Sequence, residues 1–157
     1  MTNQTIKMYR DKIRRVLQAL HSPDLQLDKL SDDQYLEEYL HYLYKVVQQD
    51  YPELHLIILY ISVGLLTFGH IDFLSDAVNS YKQIISSAKP NQHGVGLFSS
   101  FYDLFPIPKK LIKKISGRTI MERVEETEEW ILKHKQNLKW DKENEVYVLK
   151  DSSIEEE

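Results

Sequence analysis

Residues 54–68, LHLIILYISVGLLTF, are apolar at every position except His55, Ser62, Gly64 and Thr67. At 3.6 residues per turn these side chains fall on all faces, so the pattern predicts a helix enclosed by protein or by lipid. A membrane span needs roughly 20 apolar residues, and Asp50, Glu53, Asp72 and Asp76 crowd both ends of this shorter run. The stretch therefore reads as a buried central helix, and the remaining helices must be amphipathic to pack around it.

The rest of the chain supplies them. In residues 4–21, Ile6, Tyr9, Ile13, Val16, Leu17 and Leu20 recur at helical spacing, with Lys7, Arg10, Lys12, Arg14 and Arg15 on the remaining faces. Ser22-Pro23 ends this helix, because the residue before proline avoids the helical region. Ser31 opens SDDQ, a capping box with Gln34 for a second helix running to about residue 49. Its inward residues are Tyr35, Leu36, Tyr39, Leu40, Leu43, Val46 and Val47. Asp50 and Glu53 form a capping pair for the central helix, and Gly69 supplies a left-handed stop. Asp72 caps a fourth helix with Phe73, Leu74, Ala77, Val78, Tyr81, Ile84, Ile85 and Ala88 on one face, and the short link makes it antiparallel to the third.

Beyond Pro90 the pattern shortens. Residues 97–105, LFSSFYDLF, predict one or two helical turns carrying Phe98, Phe101, Tyr102 and Phe105 as anchors, followed by a corner at Pro106 and Pro108. Residues 108–116 read as a short basic helix with Leu111, Ile112 and Ile115 on one face. Thr119 and Glu122 form a further capping box, opening an acidic helix to about residue 136. Leu138, Trp140, Val146 and Val148 then switch to period-two alternation, which fits a small β-hairpin that must pack on something to persist. The expected architecture is all-α: a single helical bundle of five to seven helices around a buried central helix, with a small C-terminal β-hairpin. One domain spans residues 1–150, and residues 151–157 form a disordered acidic tail.

Composition narrows the function classes. The 157 residues are 42% hydrophobic and 28% charged, with five Gly and five Pro, as expected of a helical globular protein. The absence of Cys excludes disulfides, thiolate metal sites and a Cys nucleophile, and fits a cytoplasmic protein. The first residues contain no apolar signal core, and no stretch reads as a transmembrane segment. The net charge of −4 conceals blocks of opposite sign. Residues 1–21 and 89–118 are basic, whereas residues 22–53 and 119–157 are acidic, a pattern suited to self-complementation or to a partner surface.

Candidate chemistry is sparse. Glu38 and His41 have the Glu-x-x-His spacing of di-iron bundles, but one pair is half a ligand set, so a solvated helix face is the preferred reading. Arg15 and His21 have a spacing that resembles the Arg-x(4–6)-His motif of HEPN-type ribonucleases, which are also small and helical. That resemblance implies a phosphate-steadying guanidinium and a proton-moving imidazole. Its place on the first helix departs from the family's usual late position, and a basic helix ending in a dipole-compatible His ranks ahead of it. His55, His70 and the tyrosines, Tyr35, Tyr39, Tyr42 and Tyr60 among them, read as boundary, loop and core-rim residues. No catalytic residue, metal ligand or cofactor is therefore assigned.

The surface expected to carry function comprises Phe98, Phe101, Tyr102, Phe105, Lys109, Lys110, Lys113, Lys114 and Arg118. The expected function is a non-enzymatic protein-interaction module, of adaptor, immunity or regulatory type. It binds another protein, or a second copy of itself, through the aromatic corner and the charged C-terminal helices. A nucleic-acid-binding protein using residues 109–118 ranks second, because the overall charge is negative and dedicated nucleic-acid domains usually have a pI above about 9. A small HEPN-like ribonuclease ranks third. The basic segment is expected to pair with the acidic run Glu122–Glu129.

Overall fold

The computed structural model describes residues 4–87 and 104–151. Among these, six α-helices precede a two-stranded antiparallel sheet: α1 (Gln4–Leu20), α2 (Asp33–Asp50), α3 (His55–Leu66), α4 (Leu74–Ser87), α5 (Lys109–Ile115), α6 (Ile120–His134), β1 (Leu138–Asp141) and β2 (Val146–Leu149). The architecture is the expected helical bundle with a C-terminal hairpin. No helix among the described residues is long and apolar enough to cross a membrane.

α3 is the central helix. Ile58, Leu59 and every residue from Ile61 to Leu66 are buried, and α1, α2 and α4 all pack on it. Each large aliphatic side chain so enclosed contributes about 1.5–3 kcal/mol. Gly64 marks a close approach, where a Cβ would stand 2.7 Å from Leu40 on α2 and 3.0 Å from Ile13 on α1. Two apolar clusters meet along α3. One joins Ile13 and Leu17 to Leu36, Leu40, Ile61 and Leu65. The other joins Ile6 and Tyr9 to Leu66, Val78, Tyr81, Phe105, Val124, Ile131 and Tyr147.

The helix boundaries depart from expectation in instructive ways. Asp32, not Ser31, is the N-cap of α2, and its carboxylate accepts the Gln34 N–H at 2.8 Å. An ionised acceptor placed at the positive end of the helix dipole wins over a neutral hydroxyl one residue earlier. Asp50 and Glu53 do not cap α3. Asp50 is the last residue of α2, and α3 begins at His55 without a side-chain cap. Asp72 lies in a 3-10 turn, Ile71–Phe73, and receives the Lys135 ammonium at 3.2 Å. The Thr119–Glu122 capping box forms as expected at the start of α6.

Gly69 adopts φ +92°. His70 N–H bonds Leu65 O and Gly69 N–H bonds Leu66 O, the two-bond pattern of a Schellman turn. The hairpin pairs Leu138 with Leu149 and Trp140 with Tyr147. The Asp141 carboxylate accepts the N–H groups of Glu143 and Asn144 and the Asn144 amide, which closes the turn. These bonds, the Asn144 amide first, hold Asp141 below the usual carboxylate range. The hairpin persists because it docks. Tyr147 stacks on Phe105 with ring centroids 4.6 Å apart and donates its hydroxyl to Leu66 O at 2.9 Å.

Candidate functional site

The expected contact surface is divided by the fold. Lys109, Lys110, Lys113, Lys114 and Arg118 are all exposed. Pro108 caps α5, and Leu111, Ile112 and Ile115 turn inward to hold the helix to the core. The expected pairing with the acidic helix is confined to its edge. Arg118 meets Glu126, and the nearby carboxylates Glu125 and Glu128 take Lys82 of α4 at 4.0 and 3.7 Å. Among the described residues, no carboxylate forms an ion pair with the four lysines of α5. Phe105 departs from expectation: it is only 4% exposed, and its ring serves as the seat of the hairpin rather than as an outward anchor. Phe98, Phe101 and Tyr102 lie outside the described residues.

Arg15 and His21 are both exposed at the end of α1. His21 takes a left-handed conformation, φ 51°, that terminates the helix. Nothing in the described structure brings the two side chains together. Tyr35, Tyr39 and Tyr42 line an open recess with Asp24 and Glu38. Tyr39 and Ser22 both donate to Asp24, whose carboxyl is held below its ordinary range chiefly by Ser22.

The most elaborate polar constellation is one that the sequence did not flag. Arg10, expected on the solvent side of α1, is 2% exposed. Its guanidinium donates to Thr67 O at 2.7 Å, to Asp33 Oδ2 at 3.0 Å and to Glu145 Oε2 at 2.7 Å. Its carbon also lies 3.9 Å from the centroid of the Phe68 ring. A planar fork of five donors can serve three acceptors and still stack on a ring, which an ammonium could not do. Arg10 thereby joins α1, the start of α2, the end of α3 and the hairpin turn.

Beside it stand Glu37, His41 and His70. Glu37 and His41 are four residues apart on α2, so they share a face, whereas Glu38 turns away towards the Gln34 amide. The Schellman turn at Gly69 brings His70 to the same place. His70 Nε2 lies 2.5 Å from Glu37 Oε2 and 3.3 Å from His41 Nε2. The ligating atoms of the three side chains all lie within 4.8 Å of one another. The Phe73 ring sits edge-on to both imidazoles, with centroids 5.9 and 6.4 Å away, and holds their planes. Burial, with help from the His70 imidazole, pulls His41 below the usual histidine range against the opposing effect of Glu37. A cavity of about 410 Å³ opens alongside, lined by Arg10, Glu37, Phe68, His70, Trp140 and Lys142.

Comparison with protein-family models, with curated proteins and with solved structures finds no match. The functional reading therefore rests on the geometry.

Two signals for these centres were present in the chain. Arg10 occupies a helical phase shared with Ile6, Ile13 and Leu17, so the period itself placed a guanidinium on the buried face. The spacing of Glu37 and His41 was equally visible. His70 was not recoverable, because 29 residues and a chain reversal separate it from His41.

Proposed function

We infer that this protein is a non-enzymatic interaction module that receives an acidic partner on α5. One observation carries the reading: Lys109, Lys110, Lys113 and Lys114 stand exposed and without a carboxylate among the described residues, although the nearby Lys82 and Arg118 are matched by α6. Like charges on one short helix repel, so the arrangement persists at a cost that an anionic partner removes. Such rim charges chiefly raise the rate of encounter and reject wrong partners. An acidic protein surface is favoured over nucleic acid by the net charge of −4 and the sequence pI of about 5.9.

The second reading, nucleic-acid binding through the same lysines, draws on the same unpaired charge. The two separate in one experiment. Replacing the four lysines with Gln should abolish retention of a specific protein partner from nuclease-treated extract, while wild type binds random duplex DNA and RNA weakly even at low salt. Tight wild-type binding to nucleic acid, with a salt slope of about 0.9 per duplex phosphate neutralised that becomes shallower in the variant, would replace the first reading with the second. Equal partner retention by wild type and variant would remove α5 from the interface.

A further inference from the structure

We propose that Glu37, His41 and His70 form a binding site for a divalent cation of the zinc class. The donors are two imidazole nitrogens and one carboxylate oxygen. Magnesium and calcium draw on oxygen ligands and would leave both histidines unused, whereas zinc and its neighbours accept this set.

The distances fit. Two nitrogens each ~2.05 Å from a tetrahedral ion stand ~3.3 Å apart, and the two Nε2 atoms here are 3.3 Å apart. Glu37 Oε2 approaches His70 Nε2 more closely, at 2.5 Å, the separation of a charge-assisted hydrogen bond when the imidazole carries its proton on Nε2. An ion replaces that proton, and the carboxylate withdraws to the same ~3.3 Å edge, a short movement for a side chain that is about one-third exposed.

Proton accounting points the same way. A proton on His70 Nε2 serves Glu37. A second proton on His41 Nε2 would point at the first. An unprotonated His41 Nε2 faces only an N–H that is already engaged. With His70 protonated on Nε2, the three converging sites share one hydrogen, whereas a cation takes a lone pair from each. The rest is already in place: the helical repeat of α2 aligns Glu37 with His41, the Gly69 turn delivers His70, and Phe73 holds both rings. The cavity that Glu37 and His70 line gives the ion a way in and room for a fourth ligand. This site is separate from α5, and its failure would leave the partner reading untouched.

The test uses the full chain without added histidines. Co²⁺ is titrated and followed by its visible absorption, Zn²⁺ is then added in competition, and thermal unfolding is measured with and without Zn²⁺. Wild type should bind one ion per chain, give a tetrahedral-type Co²⁺ spectrum that Zn²⁺ erases, and unfold at a higher temperature with Zn²⁺. His41→Gln and His70→Gln should each weaken binding by about 100-fold or more, since losing a supporting partner outside the ligand shell already costs about 10–100-fold. Glu37→Gln should weaken binding and change the Co²⁺ spectrum. Gln keeps a polar group near each lost atom, and should one variant fail to fold, the other two report on the same site. The combined variant His21→Gln/His55→Gln/His134→Gln should bind like wild type. Absence of a Zn²⁺-dependent shift, equal binding of Mg²⁺, or undiminished binding by the two histidine variants would overturn the proposal.

Discussion

Replacing Gly69 with Ala tests the turn on which both the hairpin and His70 depend. The substitution meets two obstacles at once. The backbone stands at φ +92°, where an L-residue's Cβ crowds the following carbonyl at a cost of roughly 1–2 kcal/mol. The added Cβ would also lie 2.6 Å from Trp140 Cγ and 2.7 Å from its Cδ1. Cγ is the root of the indole, so the ring cannot swing its far end away, and the whole strand must retreat. Overpacking of this kind costs about 1–3 kcal/mol. Together the two effects give about 2–5 kcal/mol, a large share of the 5–15 kcal/mol typical of a domain. The midpoint of thermal unfolding should fall by roughly 4–20 °C at this chain length. Urea titration should give a lower midpoint with an unchanged slope, since the surface exposed on unfolding stays the same. Gly69→Asn separates the two costs: Asn tolerates left-handed backbone but carries the same Cβ, so it should recover only the backbone share. A loss below about 0.5 kcal/mol for Gly69→Ala would refute the reasoning, because it would mean that Trp140 does not rest on this turn.

Two other expectations follow from the buried polar groups. Arg10→Met should destabilise by about 3–5 kcal/mol in urea titration, because the buried Thr67 carbonyl and the largely enclosed Glu145 lose their partner; a loss under 1 kcal/mol would show that solvent replaces the guanidinium at no cost. Burial raises Tyr147 above the ordinary tyrosine range and lifts Tyr39 and Tyr44 to about 12, with Asp76 adding to the effect on Tyr44. Their folded values exceed the unfolded value near 10, so the stability they contribute is complete below about pH 10 and is lost as pH rises above it. Urea midpoints measured from pH 8 to 11 should fall, and less steeply in Tyr147→Phe; a flat profile would contradict the burial of these hydroxyls.

What the sequence disclosed and what it withheld follow one rule. Periodicity reports which face of an element is apolar, so the burial of Ile58, Leu59 and residues 61–66 and the inward face of α4 are readable; in β2 every residue is apolar, and it is Tyr147 and Leu149, not the expected Val146 and Val148, that pack on the core. Capping depends on which of several neighbouring acceptors fits the local geometry, so the start of α2 shifted by one residue and α3 began later than Asp50. Arg10 shares the helical phase of Ile6, Ile13 and Leu17, and its charge masks that inward position in the sequence. Phe105 was expected to face outwards because nothing local indicates that Tyr147, more than 40 positions later, will stack on it. The Glu37–His41–His70 cluster needs a tertiary turn to exist at all. Only the half carried by α2 is legible, and there the acid at the familiar Glu-x-x-His spacing, Glu38, is not the one that faces His41.

The docking of the hairpin has a consequence for the order in which the protein matures. A chain made from its N-terminus releases Arg10, Leu66 and Phe105 well before Glu145 and Tyr147. Until the last two emerge, Arg10 lacks one of its carboxylates, the Leu66 carbonyl lacks its hydroxyl donor, and the Phe105 ring lacks the tyrosine that stacks on it. Contacts of such long sequence separation form late, after the loop-closure entropy has been met. Before those residues are made, the end of the core that the hairpin covers in the folded protein lacks that cover. At that stage it would be expected to stick to other chains or to engage a chaperone, and closure by the hairpin ends that exposure.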